Sequence, residues 1–530
     1  MKKAFKILSV AVLAYQATLV FAANPSKLPR PNPYLAADIL SITHVDSAAT
    51  DSFPWSMPEG IFHINLSKTP QVIGGPVNIM TLASTSLDYM WGVSSGGVTY
   101  IDKKGGNWKE VARISVPGIQ PVTAELNKQA LGHRFKSVQD IENSVKNIYK
   151  MEGFSRITNG VYSVVDKNNV LYVKYTKHLL YAFGLKNPNN PAAGIKIIKS
   201  LDLNTISKDR TEALAGVSMT YDGYLILLGS RSLTIVNRNL DKVLAHVEFG
   251  KNEYISNSVA VDDKNGIYVA SNQIMRKVVW TGHTLSTDEK DGAWSSPYDT
   301  GSEPLTVKFG TGTGSTPSLM GFDKDHDQLV VITDGANQMN LVAFWRNGIP
   351  KDAKQQPGAR SRRIAGKIKV TCGFKKLPPF IQSEQSVVVK DYGAFVVNNS
   401  SIEGNKDLLV GVIGLGPIFP APHGVERFEW DPKKHQWSSV WANPNIVSIS
   451  MVPVVSRPSN MVLVNGYTKS KGWEITGLNW NTGKIVHRTF FGQTNYGNGA
   501  YALLELLPDN NFIFNSIAGP YRIIYTHAQI

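Results

Sequence analysis

One phrase recurs along this chain and restricts its fold more than any other feature: a short apolar strand, a polar turn rich in Asp, Asn and Gly, and a second apolar strand. Val161–Val165, Asp166-Lys167-Asn168-Asn169 and Val170–Tyr175 form one such unit. Val217–Tyr221 with Tyr224–Leu228, Ser258–Val261 with Ile267–Ala270 and Ser318–Phe322 with Leu329–Thr333 repeat it, as do Ser386–Val389 with Tyr392–Val397 and Tyr501–Leu507 with Phe512–Ser516. β-Branched and aromatic residues bounded by turn formers read as paired strands. Several pairs run on into a third strand, such as Leu179–Phe183 or Leu341–Trp345. A small antiparallel sheet cannot bury both faces alone, whereas sheets stacked around an axis can. Unit starts near Asn78, Asn159, Gly216, Asn257, Pro317, Gln385, Ser450 and Gly499 predict an all-β chain, a seven- or eight-bladed β-propeller over 77–530. The spacing of Val122–Gly132 and Ser137–Met151 predicts a small helical insertion near 122–151, and 23–76 reads as a segment leading into the propeller. A pair of β-sandwiches is the alternative architecture.

The first 22 residues read as a cleaved export signal: Lys2, Lys3 and Lys6, then the apolar run from Ile7, then Val20-Phe21-Ala22 at the cleavage position. No later apolar run is long enough for a transmembrane helix. The single cysteine, Cys372, excludes an intrachain disulfide and reads as a buried strand residue. A chain of this size can dispense with disulfides outside the cytoplasm, so the expectation is a periplasmic or secreted monomer. The net charge of +14, or +11 without the three leader lysines, favours encounters with polyanions but no specific nucleic acid site. The basic run Lys351–Lys369 reads as an exposed loop that could contact a polyanion.

Ser256-Asn257-Ser258-Val259-Ala260-Val261-Asp262 followed by Gly266–Ala270 resembles a blade of the NHL, gluconolactonase and strictosidine-synthase-like propellers. Leu478-Asn479-Trp480-Asn481-Thr482-Gly483-Lys484 resembles the D-x-x-T-G-K turn of quinoprotein alcohol dehydrogenase-like propellers, with Asn479 in place of Asp and no closing Trp. Each likeness covers a single blade. The first implies an axial calcium on one Glu, two Asn and one Asp, with Asn257 matching the blade Asn and Glu59 and Asp334 as candidate carboxylates. The second implies the propeller only, since adjacent cysteines are absent.

Polar residues where inner strands begin should face the central tunnel: Asn159, Ser256, Asn257, Thr316, Ser318, Glu384, Gln385 and Asn498. Amides, hydroxyls and one carboxylate there suit a small-molecule or polysaccharide ligand. The leading expectation is therefore an exported propeller that binds a polar ligand, a glycan or other polymer, at the tunnel mouth. A calcium-dependent hydrolase of the gluconolactonase type and an envelope protein-interaction scaffold are the alternatives, and whether the chain is an enzyme stays open. Asp323, Asp325 and Asp327 alternate as at the start of a calcium loop, although Gln328 stands where that loop needs Gly, which favours a plain hairpin turn. The run Gly310–Ser315 lacks the Lys-Ser/Thr of a phosphate loop and reads as an inter-blade loop allowing close backbone approach. His44, Asp46 and Asp51, scattered through a Ser/Ala/Thr stretch, read as loop residues rather than metal ligands.

Overall fold

The computed structural model describes residues 28–525 except 77–79, 119–120, 151–161, 176–177, 207–213, 303 and 324–325. The export signal, Asn159 and Asp325 lie outside the described residues. Among the described residues eight sheets follow one another along the chain, each built on consecutive antiparallel strands. Their first strands are Met80–Ala83, Ser163–Val165, Leu214–Met219, Ala260–Val261, Ser318–Met320, Val388–Lys390, Val454–Ser456 and Leu504–Leu506. Successive first strands lie beside one another, as Met80–Ala83 does beside Ser163–Val165 and Val454–Ser456 beside Leu504–Leu506. The chain is an eight-bladed β-propeller, and the blades, numbered 1 to 8 in that order, begin close to the units read from the sequence.

The repeated turn explains why. In blades 2 and 4 the first Asp of the turn, Asp166 or Asp262, accepts from the backbone N–H groups two and four residues on. Asn169 and Asn265 take φ of 61° each, a left-handed conformation that Asn tolerates. The Tyr268 hydroxyl closes back on the Asp262 carboxylate at 2.7 Å. The turns also latch blades together. The indole N–H of Trp91 in blade 1 donates to Asn169 of blade 2 at 3.0 Å, and that of Trp280 in blade 4 to Asp222 of blade 3 at 2.9 Å. In blade 5 the Asp327 carboxylate is engaged by Trp430 at 2.8 Å and His435 at 2.7 Å, both of blade 6. Asp323 pairs with His326 at 3.2 Å, so Asp323 and Asp327 face different partners. In the turn Asn479–Lys484 the Asn479 side chain accepts from the backbone of Asn481 and Thr482, and Gly483 sits at φ 69° with its Cα against the Trp441 indole.

The N-terminal segment is woven into the ring. Inner strands present unpaired N–H groups to the axis, a costly exposure if buried unmet. Carbonyls of residues 40–51 meet them: Leu40 accepts from Ala83, Ser41 from Val165, Ser47 from Val261, Ala48 from Leu319, Thr50 from Val389 and Asp51 from Val455. These donors belong to blades 1, 2, 4, 5, 6 and 7, so the segment forms a plug across the axis. Five of its non-glycine residues, Leu40, His44, Val45, Ala49 and Asp51, have φ between 53° and 73°. Each such conformation costs on the order of 1 kcal/mol, offset by the hydrogen bonds it aims outward. The chain then pairs Ser52–Phe53 with the inner strand of blade 7 and Gly60–His63 with its outer strand, both in parallel. Residues 70–74 finally hydrogen-bond the last strand of blade 8, Gly519–Ile523, closing the ring before blade 1 begins.

The helical insertion is present as Ala124–Leu131 and Val138–Glu142, continued by a wide turn over Asn143–Ile148. Thr123 and Ser137 cap the two helices through their hydroxyls. With a third helix, Leu408–Gly414, which belongs to blade 6, they share an apolar cluster including Leu131, Ile141, Leu409 and Ile413. Cys372 is buried as expected, but in a turn at φ 50° after the strand rather than within it. Of the basic run, residues 351–363 form a loop and Ile364–Lys369 the outer strand of blade 5, with Arg360 and Lys367 both paired to Asp299. Among the described residues no helix is long and apolar enough to cross a membrane.

Candidate ligand-binding site in the axial cavity

The plug lies level with the far ends of the inner strands, so the tunnel is not open from end to end. At the end where inner strands begin it leaves a cavity of about 440 Å³, floored by Thr43 and His44. Leu408 and Val412 of the third helix and Tyr254 contribute to its wall. Volumes of this order suit a small organic ligand.

The titratable lining is unusual for so enclosed a space. Lys174 stands in the middle of the strand Leu171–Tyr175, every residue of which is buried. Its ammonium donates to the Leu214 carbonyl at 3.0 Å and meets no carboxylate among the described residues. Burial lowers its pKa to about 8. Lys308 and Glu384 form a buried pair at 3.6 Å, and the lysine also donates to the Ser383 carbonyl at 3.1 Å. Burial raises the Glu384 carboxyl to about 7 against the opposing pull of Lys308, and it lowers the lysine. Glu384 Oε2 has no hydrogen-bond partner among the described residues. Gly314, in the glycine-rich loop, passes so close to Glu384 that a β-carbon there would meet its backbone at 2.3 Å.

The floor carries a second pair. His44 Nδ1 lies 3.0 and 3.2 Å from the two oxygens of Asp51, a carboxylate with no exposure at all. Burial raises the Asp51 pKa, and His44 opposes that rise. With Nδ1 engaged, Nε2 is the nitrogen without a hydrogen-bond partner among the described residues, in a ring that lines the cavity. The Tyr162 ring lies 6.1 Å from the His44 ring, and its hydroxyl donates to Asn257 Oδ1 at 3.3 Å. Burial holds that hydroxyl protonated, up to about 12, with the charges of Glu384 and Asp51 both acting on it. Tyr162 therefore joins the floor pair to the Lys308–Glu384 wall. Val307, Ala500 and Tyr501, also at the cavity or beside it, hold φ of 69°, 39° and 70°, a cluster of strained backbone of the kind found at functional sites.

Of the residues singled out by position in the blade, Ser256, Asn257 and Glu384 line this cavity. The Ser318 hydroxyl instead donates to the Val387 carbonyl, Gln385 accepts from Ser448, and Asn498 accepts from Ser450, so these three hold neighbouring segments together. Glu59 is exposed beside the outer strand of blade 7, and Asp334 is spent on the backbone N–H groups of Ala336 and Asn340 and the Asn340 side chain. Glu59, Asn257 and Asp334 do not meet, and among the described residues no three His, Cys, Asp or Glu side chains are grouped to hold an ion. Among the described residues, Glu59, Asn257 and Asp334 are not assembled into the axial calcium set that the blade resemblance implies.

His44, Asp51, Lys174, Lys308 and Tyr162 are the site residues that reading by blade position misses. A lysine inside an otherwise apolar strand was the signal for Lys174. The plug gave no local signal for the His44–Asp51 pair beyond a stretch poor in charge and rich in small residues.

No family model matches the chain. An uncharacterised protein of Archaeoglobus fulgidus is 31% identical over 409 residues, spanning 72% of this chain and 74% of the relative. The chain belongs to the same family. Among solved structures, the quinohemoprotein alcohol dehydrogenase of Comamonas testosteroni superposes over 90% of this chain and 76% of its own with a TM-score of 0.51 at 10% identity, which is a likeness of fold. A europium-containing methanol dehydrogenase covers 88% of this chain and 87% of its own at a TM-score of 0.48 and 10% identity.

Proposed function

We infer that the axial cavity binds a small anionic, hydroxyl-rich molecule, a sugar acid or the terminal residue of an acidic glycan, in a protein that works outside the cytoplasm as a monomer. The observation that carries this is Lys174, a buried cation that lines the cavity and, among the described residues, meets only the Leu214 carbonyl. A buried ammonium is costly unless an anion completes it. Lys308 on the same lining is paired with Glu384, which leaves Lys174 as the cation for the ligand, while Asn257, Ser256 and Tyr162 offer hydrogen bonds to hydroxyls. The plug bears on the length of the ligand: with the tunnel blocked, a polymer cannot thread the ring and only its end can enter. The basic surface of the whole chain favours encounter with such ligands.

Galacturonate should raise the melting temperature of the protein, and uncharged galactose should not. A ligand at a hundredfold excess over its Kd stabilises the native state by about 2.7 kcal/mol. Lys174→Met should weaken galacturonate binding roughly ten- to a hundredfold, the loss of one charged hydrogen bond of about 1.5–3 kcal/mol. Affinity should also fall as pH rises through 8, where Lys174 gives up its charge. Equal shifts by galactose and galacturonate, or full binding by Lys174→Met, would refute this assignment.

A further inference from the structure

We propose that the axial cavity is also an active site for β-elimination from uronates, with His44 as the base, Tyr162 as the acid and Lys174 as the group that neutralises the substrate carboxylate. The proposal rests on the binding reading above and adds chemistry to it. Elimination next to a carboxylate needs three things in one enclosed place: a positive charge on the carboxylate, a base for the proton on the adjacent carbon, and an acid for the departing oxygen. Each has a resident here. Lys174 is the cation without a carboxylate partner among the described residues. His44 is held by Asp51 through Nδ1, at 3.0 Å, leaving Nε2 with its lone pair. Tyr162 stands next to that imidazole, 6.1 Å between ring centres, and keeps its proton. Asp51 is a positioning residue: wholly buried, it cannot touch substrate, but it fixes the tautomer and supports the imidazolium that forms.

The step balances without any further reagent. His44 Nε2 takes the proton from the carbon bearing the carboxylate. The electron pair of that C–H bond becomes a carbon–carbon double bond, and the bond from the neighbouring carbon to its glycosidic oxygen breaks. The oxygen leaves with the Tyr162 proton, and the imidazolium returns its proton, through water, to the phenolate. A 1,4-linked disaccharide thereby yields one unsaturated uronate and one sugar with a new hydroxyl. The blind cavity directs this chemistry to chain ends.

The test uses the full-length mature protein with the 1,4-linked uronate disaccharides of galacto, gluco and manno configuration. The conjugated product absorbs in the ultraviolet where the substrates do not, so its formation is read directly, and binding is read separately from the melting temperature. At least one disaccharide should give the ultraviolet rise. His44→Asn, whose amide can still donate to Asp51, should slow it by about 10²–10⁴-fold while the same disaccharide still raises the melting temperature. Tyr162→Phe keeps the ring and should slow it comparably, which guards against a His44 variant that fails to fold. Asp51→Asn should move the pH profile of the rate as well as lower it. Binding of all three disaccharides without any ultraviolet rise would overturn the elimination and leave the binding site standing. No binding and no rise would overturn both. An undiminished rate in His44→Asn and Tyr162→Phe would show that these residues are not the base and acid.

Discussion

Deleting residues 28–53 should abolish cooperative folding rather than merely loosen one end of the chain. A segment that only led into the first blade could be trimmed with little consequence. Here its carbonyls accept from inner-strand N–H groups of six blades, and Phe53 and Val45 are wholly buried in the core shared with blades 7 and 8. A buried donor left unmet costs about 1–3 kcal/mol, and six of them together rival the whole stability of an ordinary domain. The measurement is a urea titration followed by tryptophan fluorescence: the shortened chain should be insoluble or lack a sigmoidal transition. A cooperative transition with an unchanged midpoint would show that the ring does not depend on the plug.

The second large effect concerns acid–base linkage at the seam between the last blade and the first. Glu505, on the inner strand of blade 8, is 1% exposed, and burial raises its pKa to about 8. Its oxygens lie 2.6 Å from the Thr81 hydroxyl of blade 1 and 2.7 Å from the Asn515 amide, and Thr81 also reaches Asn515 Oδ1 at 3.1 Å. A protonated carboxyl completes that ring of donors and acceptors, whereas a carboxylate does not. For an acid raised in the folded state, the stabilisation is full below the unfolded value near 4.5 and is lost as pH climbs toward 8. Each pH unit in that window costs about 1.4 kcal/mol. Glu505→Gln supplies an N–H to Thr81 and an oxygen to Asn515 at constant charge. Its stability should therefore vary less between pH 5 and 8 than that of the natural chain and exceed it by a few kcal/mol at pH 8. Parallel curves of melting temperature against pH for the two proteins would contradict this.

The contrast between the blades and the plug shows what a sequence discloses. Asp166-Lys167-Asn168-Asn169 and Asp262–Gly266 are legible because the hydrogen bonds by which Asp166 and Asp262 shape the turn backbone lie within four residues. Eight such local signals make a ring. The plug is the reverse case: Leu40 to Asp51 contact residues from Ala83 to Val455, and their backbone angles are set by those distant donors. Nothing within the stretch announces it, and so His44 and Asp51 read as scattered loop residues. The same limit applies to the polar residues where inner strands begin. Asn257 and Glu384 do reach the cavity, yet Gln385, one position along, turns its side chain toward Ser448 between blades. Position in the repeat says where a strand begins, and packing against the next blade decides which side chain turns inward. Lys174 was open to discovery, because a charge in the middle of an apolar strand demands a reason.

The most direct measurement of the central claim is a crystal structure of the protein with 1,4-linked digalacturonate bound. The axial site requires electron density for the sugar between the plug and the third helix, with its carboxylate within hydrogen-bond distance of Lys174 Nζ. Density confined to the opposite face of the plug or to the basic loop at 351–363, with the axial cavity empty at saturating ligand, would contradict it.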